Sequence, residues 1–167
     1  WRRLCGGDGF FTVPDPEDGR TVYAASQYLG LSRVDMRTGQ AQDIRPGDPR
    51  SAIGARRNFD VWSDGLPEPE MGNAMHPANW DAPVVVSPHN ARTIYVGMKH
   101  LFRSRDRGLT WEDLGRRTTA ADRRTQTIMG FEVADHIPSL DDGVPYWPTI
   151  SAMAESPAFL CEGSRGR

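Results

Sequence analysis

Two aspartates, Asp8 and Asp81, hold the positions best suited to acid–base chemistry. Each stands just before an apolar run, Phe10–Val13 in one case and Val84–Val86 in the other. Asn79 and Trp80 directly precede Asp81. A pair of carboxylates flanking a bond, one as acid and one as base or nucleophile, is the requirement of glycoside hydrolysis. Trp80 offers a flat face for a sugar ring, with Asn79 beside it as a ligand-binding candidate. A structural reading of the same residues outranks the catalytic one. Aspartate after two glycines, or before Ala-Pro, commonly bonds its own backbone to cap a turn, and Trp80 would then only cover a core.

The remaining chemistry-bearing residues point to no metal and no cofactor. His76, His89, His100 and His136 lie in separate segments without metal-ligand spacing. Asp141-Asp142-Gly143 and Asp15–Gly19 lack the alternating ligand run of a calcium loop. Ser63 and Ser139 have no nucleophile-elbow glycines around them. Cys5 and Cys161 are far apart and read as two ordinary thiols. The patch Asn58-Phe59-Asp60-Val61-Trp62 reads as a satellite cluster pinning a loop, with a partner surface as its alternative. Twenty basic residues against 22 acidic ones give a net charge of −2, and Lys99 is the only lysine. Scattered arginines among carboxylates are a poor match for nucleic acid or an anionic membrane. No apolar run reaches membrane-spanning length.

The elements that would position these residues are short strands. Seventeen glycines and 13 prolines punctuate the chain evenly, and a repeat is visible. Asp15-Pro16-Glu17-Asp18-Gly19-Arg20-Thr21-Val22-Tyr23 aligns without gaps on Ser87-Pro88-His89-Asn90-Ala91-Arg92-Thr93-Ile94-Tyr95. Each copy reads as strand, Pro-containing turn, strand: Phe10–Val13 to Val22–Ala25, and Val84–Val86 to Ile94–Gly97. A third strand follows at Gly30–Val34 or Leu101–Ser104, and a fourth at Ala41–Ile44 or Thr110–Leu114. A further start appears at Ile150–Glu155 before Ser156-Pro157. Four short antiparallel strands per repeat make a propeller blade, which must stack on neighbours to bury its faces. The expected fold is all-β, a partial β-propeller of four-stranded antiparallel blades with long inserted loops. Residues 1–4 would end a preceding blade, 5–45 and 80–114 form blades, 46–79 and 115–148 form inserted loops, and 149–167 start a third blade. Within the second loop, Thr118–Met129 has room for a helical turn or two.

Ser104-Arg105-Asp106-Arg107-Gly108-Leu109-Thr110-Trp111 matches the pattern Ser/Thr-x-Asp-x-Gly-x-Thr-Trp, known as the Asp box. Its spacing predicts a hairpin between third and fourth strands, with Asp106 accepting turn amides, Gly108 at positive φ and Trp111 packed between blades. The motif is a structural device, so Asp106 reads as a turn anchor rather than a catalyst. Asp35-Met36-Arg37-Thr38-Gly39 is a degenerate copy without the tryptophan, and Trp1-Arg2-Arg3-Leu4 echoes Trp111-Glu112-Asp113-Leu114.

Together with Gly6-Gly7-Asp8-Gly9-Phe10, Gly30-Leu31-Ser32-Arg33, Asn79-Trp80-Asp81-Ala82-Pro83, Ser87-Pro88-His89-Asn90, Leu101-Phe102-Arg103-Ser104 and Ala154-Glu155-Ser156-Pro157, this motif resembles the BNR/Asp-box propellers. That family is labelled sortilin N-terminal-like or glycosyl-hydrolase-like. The resemblance covers nearly the whole chain to Pro157. It implies a large, often secreted propeller whose remaining blades lie elsewhere in a parent chain. The stretch Ala158–Arg167 departs from the pattern, which is the expectation for a truncation or a reading-frame slip. The function expected is a binding or scaffold module, engaging a protein, peptide or glycan through loops at the channel mouth. The alternative is a polysaccharide-cleaving glycoside hydrolase with Asp8 and Asp81 as its carboxylates. A third reading is an incomplete gene product without independent function.

Overall fold

A computed structural model of the chain describes residues 4, 6–47, 78–116, 118, 127–128, 130–132 and 149–158. The described part is all-β, with one 3-10 turn at Gln27–Leu29 as its helical element. Sheet 1 has the order β1-β2-β3-β4, from Thr12–Pro14, Thr21–Ser26, Gly30–Asp35 and Ala41–Asp43. Sheet 2 repeats it as β5-β6-β7-β8, from Val84–Val86, Ile94–Gly97, His100–Ser104 and Glu112–Arg116. Both are antiparallel throughout. A small hairpin pairs β9, Thr127–Ile128, with β10, Phe131–Glu132. Of Thr118–Met129, where a helical turn or two is expected, the described residues are Thr118, Thr127 and Ile128, and the last two, both β-branched, lie in β9.

The repeat read from the sequence is a repeat of register. Val13 pairs with Tyr23 and Pro14 with Val22 in sheet 1, as Val85 pairs with Tyr95 and Val86 with Ile94 in sheet 2. The turns between these strands are built alike. The Asp15 amide bonds the Thr21 carbonyl at 2.8 Å, and the Ser87 amide bonds the Thr93 carbonyl at 2.9 Å. Asp15 Oδ1 accepts the Glu17 amide, and Ser87 Oγ the His89 amide. Asp18 and Asn90 then cap the second half by accepting the amides of Arg20 and Arg92. The third strands agree as well: Tyr23 faces Arg33 and Arg33 faces Gln42, as Tyr95 faces Arg103 and Arg103 faces Glu112.

Strand alternation gives each sheet two faces. The front of sheet 1 carries Val13, Tyr23, Ala25, Leu31 and Arg33, and Ile44 continues it beyond β4. In sheet 2 the matching front carries Val85, Tyr95 and Arg103, while Val84, Ile94, Val96 and Phe102 form its back. The core is one cluster of Tyr23, Ala25, Leu31 and Ile44 with Val84, Ile94, Val96 and Phe102. The front of sheet 1 thus packs on the back of sheet 2. Full burial of Leu31, Ile94 or Val96 contributes roughly 1.5–3 kcal/mol each. Trp111 packs on the same cluster and its indole N–H bonds the Ile44 carbonyl at 2.8 Å.

The insertions at 46–79 and 115–148 fall largely outside the described residues, as do Asn58–Trp62, Ser63, His76, His136, Ser139 and Asp141–Gly143. Trp1–Arg3, Cys5, Cys161 and the tail from Phe159 onward also lie outside them. Among the described residues, no helix is long and apolar enough to cross a membrane, and no group of three or more His, Cys, Asp or Glu could hold a metal ion.

Candidate functional site

The candidate site lies where the segments leading into β1 and β5 meet the connection between β2 and β3. Sheet 2 joins its second and third strands by a tight turn in which the Met98 amide bonds the His100 carbonyl. Sheet 1 needs more chain for the same connection, since Tyr23 faces Arg33 whereas Tyr95 faces Arg103. The two additional residues lengthen the connection to Ser26–Gly30, where sheet 2 has Met98–His100, and at its centre is the Gln27–Leu29 turn, in which Tyr28 and Leu29 adopt φ values of 54° and 60°. Bulky residues are costly there, at about 1–3 kcal/mol each, and persist only where the surroundings over-determine them. Leu29 is buried in the core. The Tyr28 amide bonds the Trp80 carbonyl at 3.0 Å, and the Tyr28 carbonyl accepts Arg45 Nε–H at 3.3 Å.

Three aromatic rings gather on this turn. Trp80 lies edge-to-face with Tyr28 at 5.1 Å and with Phe10 at 6.2 Å, and all three are half-buried. Partial burial raises the pKa of the Tyr28 phenol. Gln27 ties in the start of the chain by accepting the Asp8 amide at 3.1 Å. Gly7 approaches so closely that a β-carbon there would stand 2.3 Å from Gln27 Oε1, and its φ of 81° also favours glycine. Asp8 and Asp81 are exposed, and Asn79, which precedes Trp80 in the chain, is half-buried.

Of the residues singled out by sequence, Asp8, Asn79, Trp80 and Asp81 therefore share one end of the molecule. The carboxylates of Asp8 and Asp81 accept no backbone hydrogen bond from a described residue, so turn capping is not seen for them. Trp80 braces the strained turn through its carbonyl and its ring contact with Tyr28. Tyr28, Gln27 and Phe10 were missed. The pattern carried one signal for Tyr28: the second and third strands of the first repeat are separated by a longer stretch than those of the second.

The Ser104–Trp111 turn is a separate, structural constellation. Buried Ser104 Oγ accepts the amides of Gly108 at 2.7 Å and Asp106 at 3.3 Å. Asp106 accepts the Thr110 amide at 2.8 Å and the Thr110 hydroxyl at 2.6 Å. Desolvation pushes the Asp106 carboxyl up, but those bonds with the Ser104 hydroxyl and the Leu109 amide outweigh it and hold the pKa down to about 2. Gly108 has φ 86° and packs under Ile44. Asp35–Gly39 in sheet 1 closes a hairpin of the same length differently. Asp35 sits one register position before that of Asp106 and accepts the amides of Arg37 and Thr38.

Arg107 is the residue of this turn that sequence reasoning passed over. Its φ of 62° aims the side chain at the first sheet. There Nε–H bonds Asp15 Oδ2 at 2.8 Å and Nη2–H bonds Glu17 at 3.0 Å. The Asp15 side chain is fully buried and also accepts the Tyr23 hydroxyl at 3.3 Å. Burial, reinforced by the Asp15 charge, pushes the Tyr23 phenol up to about 12. Arg33 of sheet 1 in turn donates to the Arg107 carbonyl at 3.2 Å, so each sheet grips the other. Set against protein-family models, curated proteins and solved structures, the chain has no match in any of the three comparisons.

Proposed function

We propose that the two sheets are consecutive blades of an Asp-box β-propeller and that the chain acts as a binding module, holding a glycan, peptide or protein at the mouth formed by Gln27–Leu29 and Asn79–Asp81. Front-to-back packing supports the propeller: a head-to-tail contact leaves an unused front and an unused back, and repeating it closes a ring when the rotation per step divides a full turn. The observation that carries the binding reading is the strained Tyr28–Leu29 turn. It departs from the regular hairpin of the other repeat, stores backbone strain and sets Tyr28 against Trp80, whose chain neighbour Asp81 is exposed, while Asp8 is exposed where its amide meets Gln27. Partly buried aromatic rings rimmed by polar groups suit recognition of a sugar face or a peptide side chain. Hydrolysis by Asp8 and Asp81 is the competing reading.

Glycan and peptide arrays probed with the 167-residue chain test both. The proposal expects saturable binding that Asp81→Asn weakens by about tenfold, the loss of one charge-assisted hydrogen bond, with no new reducing ends on bound glycans. A folded chain that binds nothing on either array would end the binding reading. Release of reducing ends that stops in Asp8→Asn or Asp81→Asn would replace it with hydrolysis.

A further inference from the structure

Away from the mouth, sheet 1 carries an open cleft of about 480 Å³ lined by Arg20, Thr21, Arg33, Asp35, Gln40 and Gln42, with Ala41 at its edge. We infer that this cleft binds the oxyanion of a small hydroxylated molecule, a carboxylate or a phosphate, on the guanidinium of Arg33.

The repeat supplies the comparison. In sheet 2 Arg103 faces Glu112 and gives it two hydrogen bonds, Nε–H at 3.1 Å and Nη2–H at 2.7 Å, which neutralise its charge. At the same register in sheet 1, Arg33 faces Gln42. Its Nη2–H donates to Gln42 Oε1 at 2.7 Å and its Nη1–H to the Arg107 carbonyl at 3.2 Å, both neutral acceptors. Among the described residues no carboxylate pairs with Arg33. Arg20 pairs with Asp35 at 2.9 Å, so two guanidiniums meet one carboxylate and the cleft keeps a net positive charge.

The guanidinium is also positioned for binding. Its two neutral partners hold it in place, while its five donors are not exhausted by two bonds. A preset guanidinium loses little freedom on engaging a planar or tetrahedral oxyanion. Around it, the amides of Gln40 and Gln42, the Thr21 hydroxyl and the Asp35 carboxylate offer both donors and acceptors. Such a lining suits a polyhydroxylated body and gives an apolar ligand little to bury. The volume fits one small molecule.

Gln42→Glu tests the inference, because it installs in sheet 1 the Arg–Glu pair that sheet 2 already holds at the same register. Binding would be followed by the Arg side-chain N–H signals of the isotope-labelled chain on titration with inorganic phosphate and, separately, with glucuronate; glucose is the neutral control. The expected result is saturable movement of the Arg33 signal with one or both anions and none with glucose. Gln42→Glu should weaken it by at least about tenfold and Gln42→Ala much less, the difference between cancelling a charge and losing a neutral bond. A response to phosphate alone or glucuronate alone supports the site and names its oxyanion. Absence of any response, or affinity unchanged in Gln42→Glu, overturns it.

Discussion

Hydrogen bonds from the Thr110 amide and hydroxyl converge on Asp106, and equivalent bonds from Arg20 and Thr21 converge on Asp18. Both carboxylates are held down to about 2 from an ordinary 3.8; at Asp18 the Thr21 hydroxyl is the largest cause. A folded pKa below the unfolded one means stability that is complete above about pH 4 and is lost as pH falls through about 2. Acid unfolding should therefore set in within that window. Asp106→Asn should remove its share of the pH dependence there, checked by denaturant unfolding at several pH values. An unchanged slope in that variant would show that Asp106 is not the titrating anchor. The chemistry of this turn was legible because Ser, Asp, Gly and Thr stand at spacings that only a particular turn uses. Arg107 was not, because a variable position in the motif says nothing of a partner 92 residues away.

At the scale of elements, the eight strands of the two sheets follow the expected runs to within a residue or two, and β5 and β6 match them outright. Short alternating runs bounded by Pro and Gly leave the chain few other options. The strained turn after β2 escaped, since no local preference places Tyr or Leu at positive φ. Its conformation is imposed by Trp80 and Arg45, from distant parts of the chain. The seam between sheets makes a sharp prediction at Gly108. A β-carbon there would lie 2.5 Å from Ile44 Cδ1, in backbone at φ 86°. Gly108→Ala should cost about 2–5 kcal/mol, adding a left-handed penalty to overpacking. Ile44→Val in the same chain should recover only part of that, because the backbone penalty remains. Complete recovery, measured by chemical denaturation, would mean that φ at Gly108 is of no consequence.

For the whole molecule, the relation between the sheets decides how far the account extends. Register fixes which residues share a face, and the core then shows the front of sheet 1 on the back of sheet 2. The sequence pattern reached the repeat and the need for stacking, but not the direction of stacking. That direction is set by Tyr23, Trp111 and the Arg107 clamp acting between repeats. The proposed ring of blades and the mouth site both rest on it. A double-mutant cycle on Asp15→Asn and Arg107→Gln, read by the free energy of unfolding, tests it most directly, because these residues meet only if the sheets stack this way. The account predicts a coupling of about 1 kcal/mol or more, within the range for contacting partners. Single effects that add to within about 0.5 kcal/mol would contradict it.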